Sequence, residues 1–303
     1  MDGDTLASSI SQNAEQASKI ADTFSTPEST TGDNTKNQVP APKRFWKNAK
    51  ARADNHNIHI ELDGRPLRTP LGQKLRLPLT KPTLGALIAQ EWDGLVSLKV
   101  KPHALPLTGL ASRAIDLEES AKKYGPQREI NLSDGMDRAA VSRTLIPYLD
   151  TDTLLVFAPK EEYYGKLRQA QEEQYRPVIQ WFEEKFTDGD KLIWLDGDNG
   201  ILGGSQTSKV TKLALKYLDS LDYWQFAAFE RTVLSARSFI AGALLVEGKM
   251  ESRDIAALVS LENEFQTKRW GHIEEHHDVE WANLRRQLAS AAVLIANESK
   301  VYL

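Results

Sequence analysis

The chain has 303 residues, 41% of them hydrophobic and 26% charged, and no cysteine. That composition suits a globular protein with a sizeable core and excludes a disulfide scaffold, a thiolate metal site and a cysteine nucleophile. Its formal charge of −4 lies wholly in residues 1–40, where Lys19 and Lys36 face Asp2, Asp4, Glu15, Asp22, Glu28 and Asp33, so the balanced remainder offers no basic domain for nucleic acid.

Residues 1–42 are rich in Ser, Thr, Asn, Asp and Gln. They bury too little apolar surface to offset ordering entropy and are expected to be disordered. The segment lacks arginine and the apolar core of a secretory signal, and its acidity is the reverse of a mitochondrial presequence. From Arg44 the pattern becomes strand-like: Ile58-His-Ile-Glu-Leu62 alternates apolar and polar residues, and Asp63-Gly64 supplies a tight hairpin turn. Pro66 to Pro70, Leu71-Gly72 and Leu75 to Pro78 continue an antiparallel meander, so that residues 44–78 form a small sheet. A helix follows, capped by Thr80, with Pro82 in its first turn and Leu84, Leu87, Ile88 and Trp92 on one face. Residues 43–104 thus read as an α/β module.

Residues 105–303 read as helical. One helix ends around Ile115 and Leu117, a second runs from Met136 to Leu149, and a third from Glu161 to Phe186 with a kink at Pro177. A turn-rich insertion from Asp188 to Ser205 precedes helices at about 207–219, 222–246, 252–268 and 278–297. In the last, Trp281, Leu284, Leu288, Ala291 and Ile295 line one stripe and Asp278 is a good N-cap. Thr232 to Val246 is the nearest approach to a membrane span, but it is short of the roughly 18–20 residues required and contains Arg237. The fold class is α+β: a small N-terminal sheet-containing α/β module followed by a C-terminal all-helical bundle.

Several patterns bear on chemistry. His272-Ile-Glu-Glu275-His276 is literally an inverted zinc-peptidase motif, in which two imidazoles one helical turn apart share a metal and Glu275 polarises a water. Gly271 before it and Asp278 after it make the stretch a connector rather than a helix centre, and a downstream third ligand has only Glu280 and Glu298 to choose from. The Gly- and Ser-rich run from Gly197 to Lys209 lacks both the P-loop ending and the dinucleotide fingerprint, and reads as a turn-forming insertion. Asp150 and Asp152 fit acid–base or magnesium chemistry by type, but their place between helix and strand favours caps and turns. Glu274, Glu275 and Asp278 belong to a run of ionisable residues beside Trp270 that is too charged to bury, either a solvated connector or a charged docking site with an aromatic anchor. The other aromatics of this half, Trp181, Trp194, Trp224, Phe226, Phe229, Phe239, Phe265 and Trp281, are expected mostly in the core.

Arg44-Phe-Trp-Lys47, Leu62 to Pro70, Glu91-Trp92, Pro106-Leu-Thr108, Ala114-Ile-Asp116, Pro147 to Asp152 and Phe265 to Val279 stand in the order found in a known family. Over about residues 43–296 the chain resembles the ATP synthase assembly chaperones specific for the α subunit. Leu105 and Gly109 depart from that pattern, where a Met and a larger basic residue are expected. The resemblance implies mitochondrial residence, no catalysis and no cofactor or metal. It also implies a protein that holds free α subunit of the catalytic head until β subunit replaces it, with Glu274 and Glu275, then Asp278, as partner-binding residues; Trp270 is the aromatic anchor beside them, and nothing in the sequence suggests more than a monomer. A zinc-dependent hydrolase using His272, Glu275 and His276 is the alternative reading.

Overall fold

The computed structural model describes residues 44–96, 104–124, 137–199, 204–271 and 277–298. The expectation for residues 1–42 falls outside them.

Alternation in the sequence becomes alternation in burial. Strands β1 (Ala49–Ala53) and β2 (Asn57–Leu62) pair antiparallel, with Ala49 opposite Leu62 and Ala53 opposite Ile58. The other edge of β2 takes both β3 (Arg65–Pro66) and β4 (Arg76–Pro78). Ile58, Ile60 and Leu62 are buried while the residues between them are half-buried, which gives the sheet one core face. Asp63 and Gly64 turn the hairpin with φ of 47° and 79°, the paired left-handed geometry that a two-residue turn of this hand needs.

Helix α1 (Pro82–Asp93) covers that face, and it can do so closely because residue 85 is glycine: a Cβ there would lie 2.9 Å from Ile58 Cγ2. Leu84 and Ile88 face the sheet and Trp92 is half-buried, but Leu87 turns away from it, 38% exposed. Lys81, not Thr80, is the N-cap, and no side chain caps the helix. The buried Lys81 ammonium instead donates to the carbonyls of Leu294 and Ala296 at 2.7 and 3.2 Å, and the Glu298 amide donates to Thr80 O at 2.8 Å. The start of α1 is thereby clasped to the end of the last helix, whose negative dipole end attracts the ammonium.

Helix α2 (Pro106–Tyr124) runs well past Leu117. Its polar extension is supported by Lys122, which pairs with Glu118 and Glu119 at 2.7 and 3.1 Å. The helix expected from Met136 begins at Arg138 and divides in two, α3 (Arg138–Leu145) and α4 (Pro147–Asp150), because proline has no N–H to continue the ladder. Residues Glu162–Gly165 form a separate turn, with Tyr163, Tyr164 and Gly165 all at positive φ, before α5 (Lys166–Phe186).

The second half is not wholly helical: β5 (Val156–Phe157) and β6 (Leu195–Asp196) make a short parallel pair. Helices α6 (Ser208–Ser220), α7 (Tyr223–Ala236), α8 (Phe239–Val246), α9 (Ser252–Val259), α10 (Leu261–Trp270) and α11 (His277–Ile295) follow. The expected 222–246 helix breaks at Arg237, φ 51°, and the 252–268 helix breaks at Ser260. Helix α11 starts one residue before Asp278, which therefore sits inside the first turn rather than capping it. Helix α7 is the hub, packed on α2, α8 and α11. The nearly buried α8 approaches it at Gly242, where a Cβ would fall 2.8 Å from Phe229 Cε2. Among the described residues no helix is long and apolar enough to cross a membrane.

Candidate functional site

Most of the motifs quoted above are fasteners at joints of the fold. The Arg44 guanidinium donates to the carbonyls of Asp93 and Leu95 at 2.6 and 3.2 Å and to Lys47 O at 2.7 Å. Trp46 is buried and donates its indole N–H to Trp92 O at 3.2 Å. Asp63 accepts from the Lys47 and Asn48 amides at 2.8 and 2.9 Å, which holds its carboxyl below the usual range. The Glu91 carboxylate caps α2, accepting from Leu107 N, Thr108 N and Thr108 Oγ1 at 2.8, 2.9 and 2.7 Å, although its burial raises its pKa. Trp92 donates to the same hydroxyl at 3.1 Å. Thr69 Oγ1 donates to the buried Asp116 at 2.5 Å.

Asp150 and Asp152 do the same in the helical half. Asp150 accepts from Gln206 N at 2.7 Å. Asp152 is fully buried and accepts from Leu154 N and Ile240 N, each at 2.9 Å, with Ser238 and the Phe239 amide adding further bonds. It thus joins the turn at 152–155 to the Arg237–Ser238 break, and burial pushes its carboxyl up to about 6. These carboxylates are turn-formers, the role that their sequence position favours.

The Phe265–Val279 segment is different. Its first part is α10, where the Phe265 ring packs edge-on against Tyr163 at 5.8 Å and the Arg269 guanidinium lies 5.4 Å from that same ring. Tyr163 and its neighbour Tyr164 hold left-handed conformations, at a cost of order 1–3 kcal/mol each, and Tyr164 is 97% exposed. Trp270 ends α10. Glu274 and Glu275, and with them His272 and His276, lie outside the described residues. The chain resumes in the first turns of α11, where every residue from Asp278 to Asn283 is exposed. Val279 is 63% and Trp281 41% exposed, and the Arg285 guanidinium lies 4.5 Å from the Trp281 ring centroid.

The structure thus places Trp270 and Asp278 on either side of one connection and brings exposed Val279 and Trp281 in beside Asp278. Tyr164, which falls within the helix expected from Glu161 to Phe186, instead stands exposed in the turn before α5. Val279 is apolar yet off the Trp281-Leu284-Leu288-Ala291-Ile295 stripe. Among the described residues no group of three His, Asp or Glu side chains is placed to hold a metal ion.

Residues 43–183 match the family model described as ATP12 chaperone protein. Protein atp12, mitochondrial, of Schizosaccharomyces pombe is 40% identical over 255 residues, covering 84% of this chain and 82% of its own. Protein ATP12, mitochondrial, of Saccharomyces cerevisiae is 36% identical over 290 residues, 89% of each chain. The crystal structure of Atp12 from Paracoccus denitrificans has 26% identity and a TM-score of 0.63, covering 84% of this chain and 97% of that one. Both curated relatives are mitochondrial proteins, and mitochondria are the compartment of this chain. With a relative at 40% identity over 84% of its length, the chain belongs to the ATP12 chaperone family.

Proposed function

We propose that this chaperone serves ATP synthase assembly in the mitochondrial matrix by binding the free α subunit of the catalytic head as a monomer and holding it until β subunit takes its place. The observation that carries the reading is the exposure of Val279 and Trp281 among charged residues on the first turns of α11. Exposed apolar side chains standing among charged ones have the composition of a protein-docking surface, and Val279 and Trp281, two positions apart in a helix, offer it on different faces of α11. A subunit without its partner presents an apolar face that aggregates, and covering that face removes the route. Glu274, Glu275, Trp270 and Asp278 complete the contact on this reading. The reading needs no catalytic step, because release follows once β binds α more tightly than the chaperone does.

Light scattering of freshly refolded α subunit, with and without one equivalent of the protein and with β subunit added afterwards, tests this. Suppressed scattering followed by transfer of α to β is the expected result. Unchanged scattering, or equal protection of α and β, overturns it.

A further inference from the structure

Helices α9 and α11 pack together and leave a surface cleft of about 350 Å³ lined by Ser252, Arg253, Ala282, Arg285, Arg286 and Ala289. Three of the six lining residues are arginines and none is acidic. The nearest carboxylate partner of Arg253 is its sequence neighbour Asp254, 3.4 Å away on the exposed rim. Arg285 lies over Trp281, so a ligand in the cleft would adjoin the exposed first turns of α11.

The cleft also lies near the point where the N-terminal segment joins the fold. Arg44, the first described residue, is anchored to the carbonyls of Asp93 and Leu95 at the end of α1. Arg286 is close enough for its charge to act on Glu91, one turn earlier in that helix. Residues 1–40, which precede Arg44, hold the whole net charge of the protein. Within them, Asp22 to Asp33 carries Asp22, Glu28 and Asp33 and no cation. At about 3.3 Å per extended residue, Asp33 reaches up to roughly 36 Å from Arg44 and Asp22 roughly 70 Å, ample for a neighbouring face.

We propose that the acidic stretch from Asp22 to Asp33 docks in the arginine-lined cleft between α9 and α11. Guanidinium groups match carboxylates in geometry as well as charge. The covalent tether supplies an effective concentration on the order of 1 mM, so even a contact of millimolar intrinsic Kd is about half occupied. Docking there places the protein's own acidic segment next to Trp281, in competition with any partner of the α11 surface. The contact does not depend on the identity of the client.

Because the chain has no cysteine, Ser29→Cys creates a single attachment point for a nitroxide on the full-length protein. The expected result is paramagnetic loss of amide signal at Arg253, Ala282, Arg285 and Ala289 at about 0.01 M salt. The signals should recover at about 1 M, where the Debye length falls from roughly 30 to 3 Å. They should also recover in an Arg253→Glu, Arg285→Glu variant. The triple change Asp22→Asn, Glu28→Gln, Asp33→Asn should abolish the effect without touching the folded body, which keeps the test decisive if the arginine variant fails to fold. No broadening at the cleft, or broadening indifferent to these charge changes, overturns the proposal. Broadening that appears only between labelled and unlabelled copies overturns it in favour of a second chain. Chemical shifts induced by hexaglutamate, without any broadening from the nitroxide, overturn it in favour of an acidic segment from another protein.

Discussion

Val279→Glu separates binding from folding. Val279 is 63% exposed in the first turn of α11. Fully burying a valine is worth about 1.5–3 kcal/mol, so a partner that covers the exposed part gains about 1–2 kcal/mol. A carboxylate forfeits that gain and adds about 1–3 kcal/mol for an unpaired polar group inside the contact. The sum, about 3 kcal/mol, corresponds to a loss on the order of 100-fold in Kd. The fold should hardly respond. Exposed substitutions fall within about 0.5 kcal/mol, and a negative charge at a helix N-terminus contributes about 0.3–1 kcal/mol in the favourable direction. Urea denaturation should therefore give an unchanged midpoint, while anisotropy titration of labelled α subunit shows the weakened affinity. An unchanged Kd in a folded variant would remove the start of α11 from the contact surface.

Glu275→Lys should likewise leave the urea midpoint in place and weaken α-subunit binding about 10-fold or more, since reversing a charge in a complementary contact costs over 1 kcal/mol; equal titration curves would remove that side chain from the site. Elemental analysis of the purified protein should return zinc well below one equivalent, whereas stoichiometric zinc lost in a His276→Ala variant would favour the hydrolase reading. For Asp152, burial raises the carboxyl from 3.8 to about 6, so the folded chain holds the proton more tightly than the unfolded one. Its contribution is full below pH 3.8 and is lost as pH rises through about 6, about 3 kcal/mol across that window. The stability gap between the wild type and Asp152→Asn should therefore widen by about 1 kcal/mol from pH 7 to pH 5 in paired urea titrations; a constant gap refutes the assignment. Lys81→Met removes the donor from the Leu294 and Ala296 carbonyls and should cost about 2 kcal/mol. Faster hydrogen exchange at the Glu298 amide, which is bonded to Thr80 O, would show the clasp opening.

Local rules were legible and joints were not. Asp63-Gly64 announced its hairpin because only a few residue types accept two successive left-handed conformations, and Ile58-Ile60-Leu62 announced a one-sided strand. The parallel pair at Val156–Phe157 and Leu195–Asp196 was not visible, since two residues carry no period and the partners are far apart in sequence. Gly197 was read as part of a turn-forming run; a Cβ there would meet Pro159 at 2.6 Å, so it serves the close approach of the two strands. The break at Arg237 was hidden in an apolar run because its cause, Asp152, stands 85 residues earlier in the sequence. Lys81 was hidden for the same reason, its partners being at the opposite end of the chain. For the candidate site, the charged run and the resemblance point to Trp270 and Asp278 as partner-binding residues. The place of Val279 off the apolar stripe is readable in the sequence, whereas the partial exposure of Trp281 on that stripe depends on how α11 packs against α7, α2 and α9.

The motifs of this chain divide by what satisfies them. Arg44, Trp46, Asp63, Glu91, Thr108, Asp116, Asp150 and Asp152 meet partners within the fold, and most of these bonds tie one element to another. Such residues are explained by folding alone. Val279 and Trp281 are not, because an exposed valine and a partly exposed tryptophan at the start of a helix contribute little to its stability. A contact resting on a few apolar anchors suits the proposed role. A holding chaperone needs a Kd near about 1 μM, or about −8 kcal/mol, to compete with aggregation at micromolar concentration, yet each tenfold in favour of β requires only about 1.4 kcal/mol. Two or three aromatic and aliphatic anchors with a charged rim lie in that range, whereas a broad apolar groove would hold the client too tightly for exchange without an energy source.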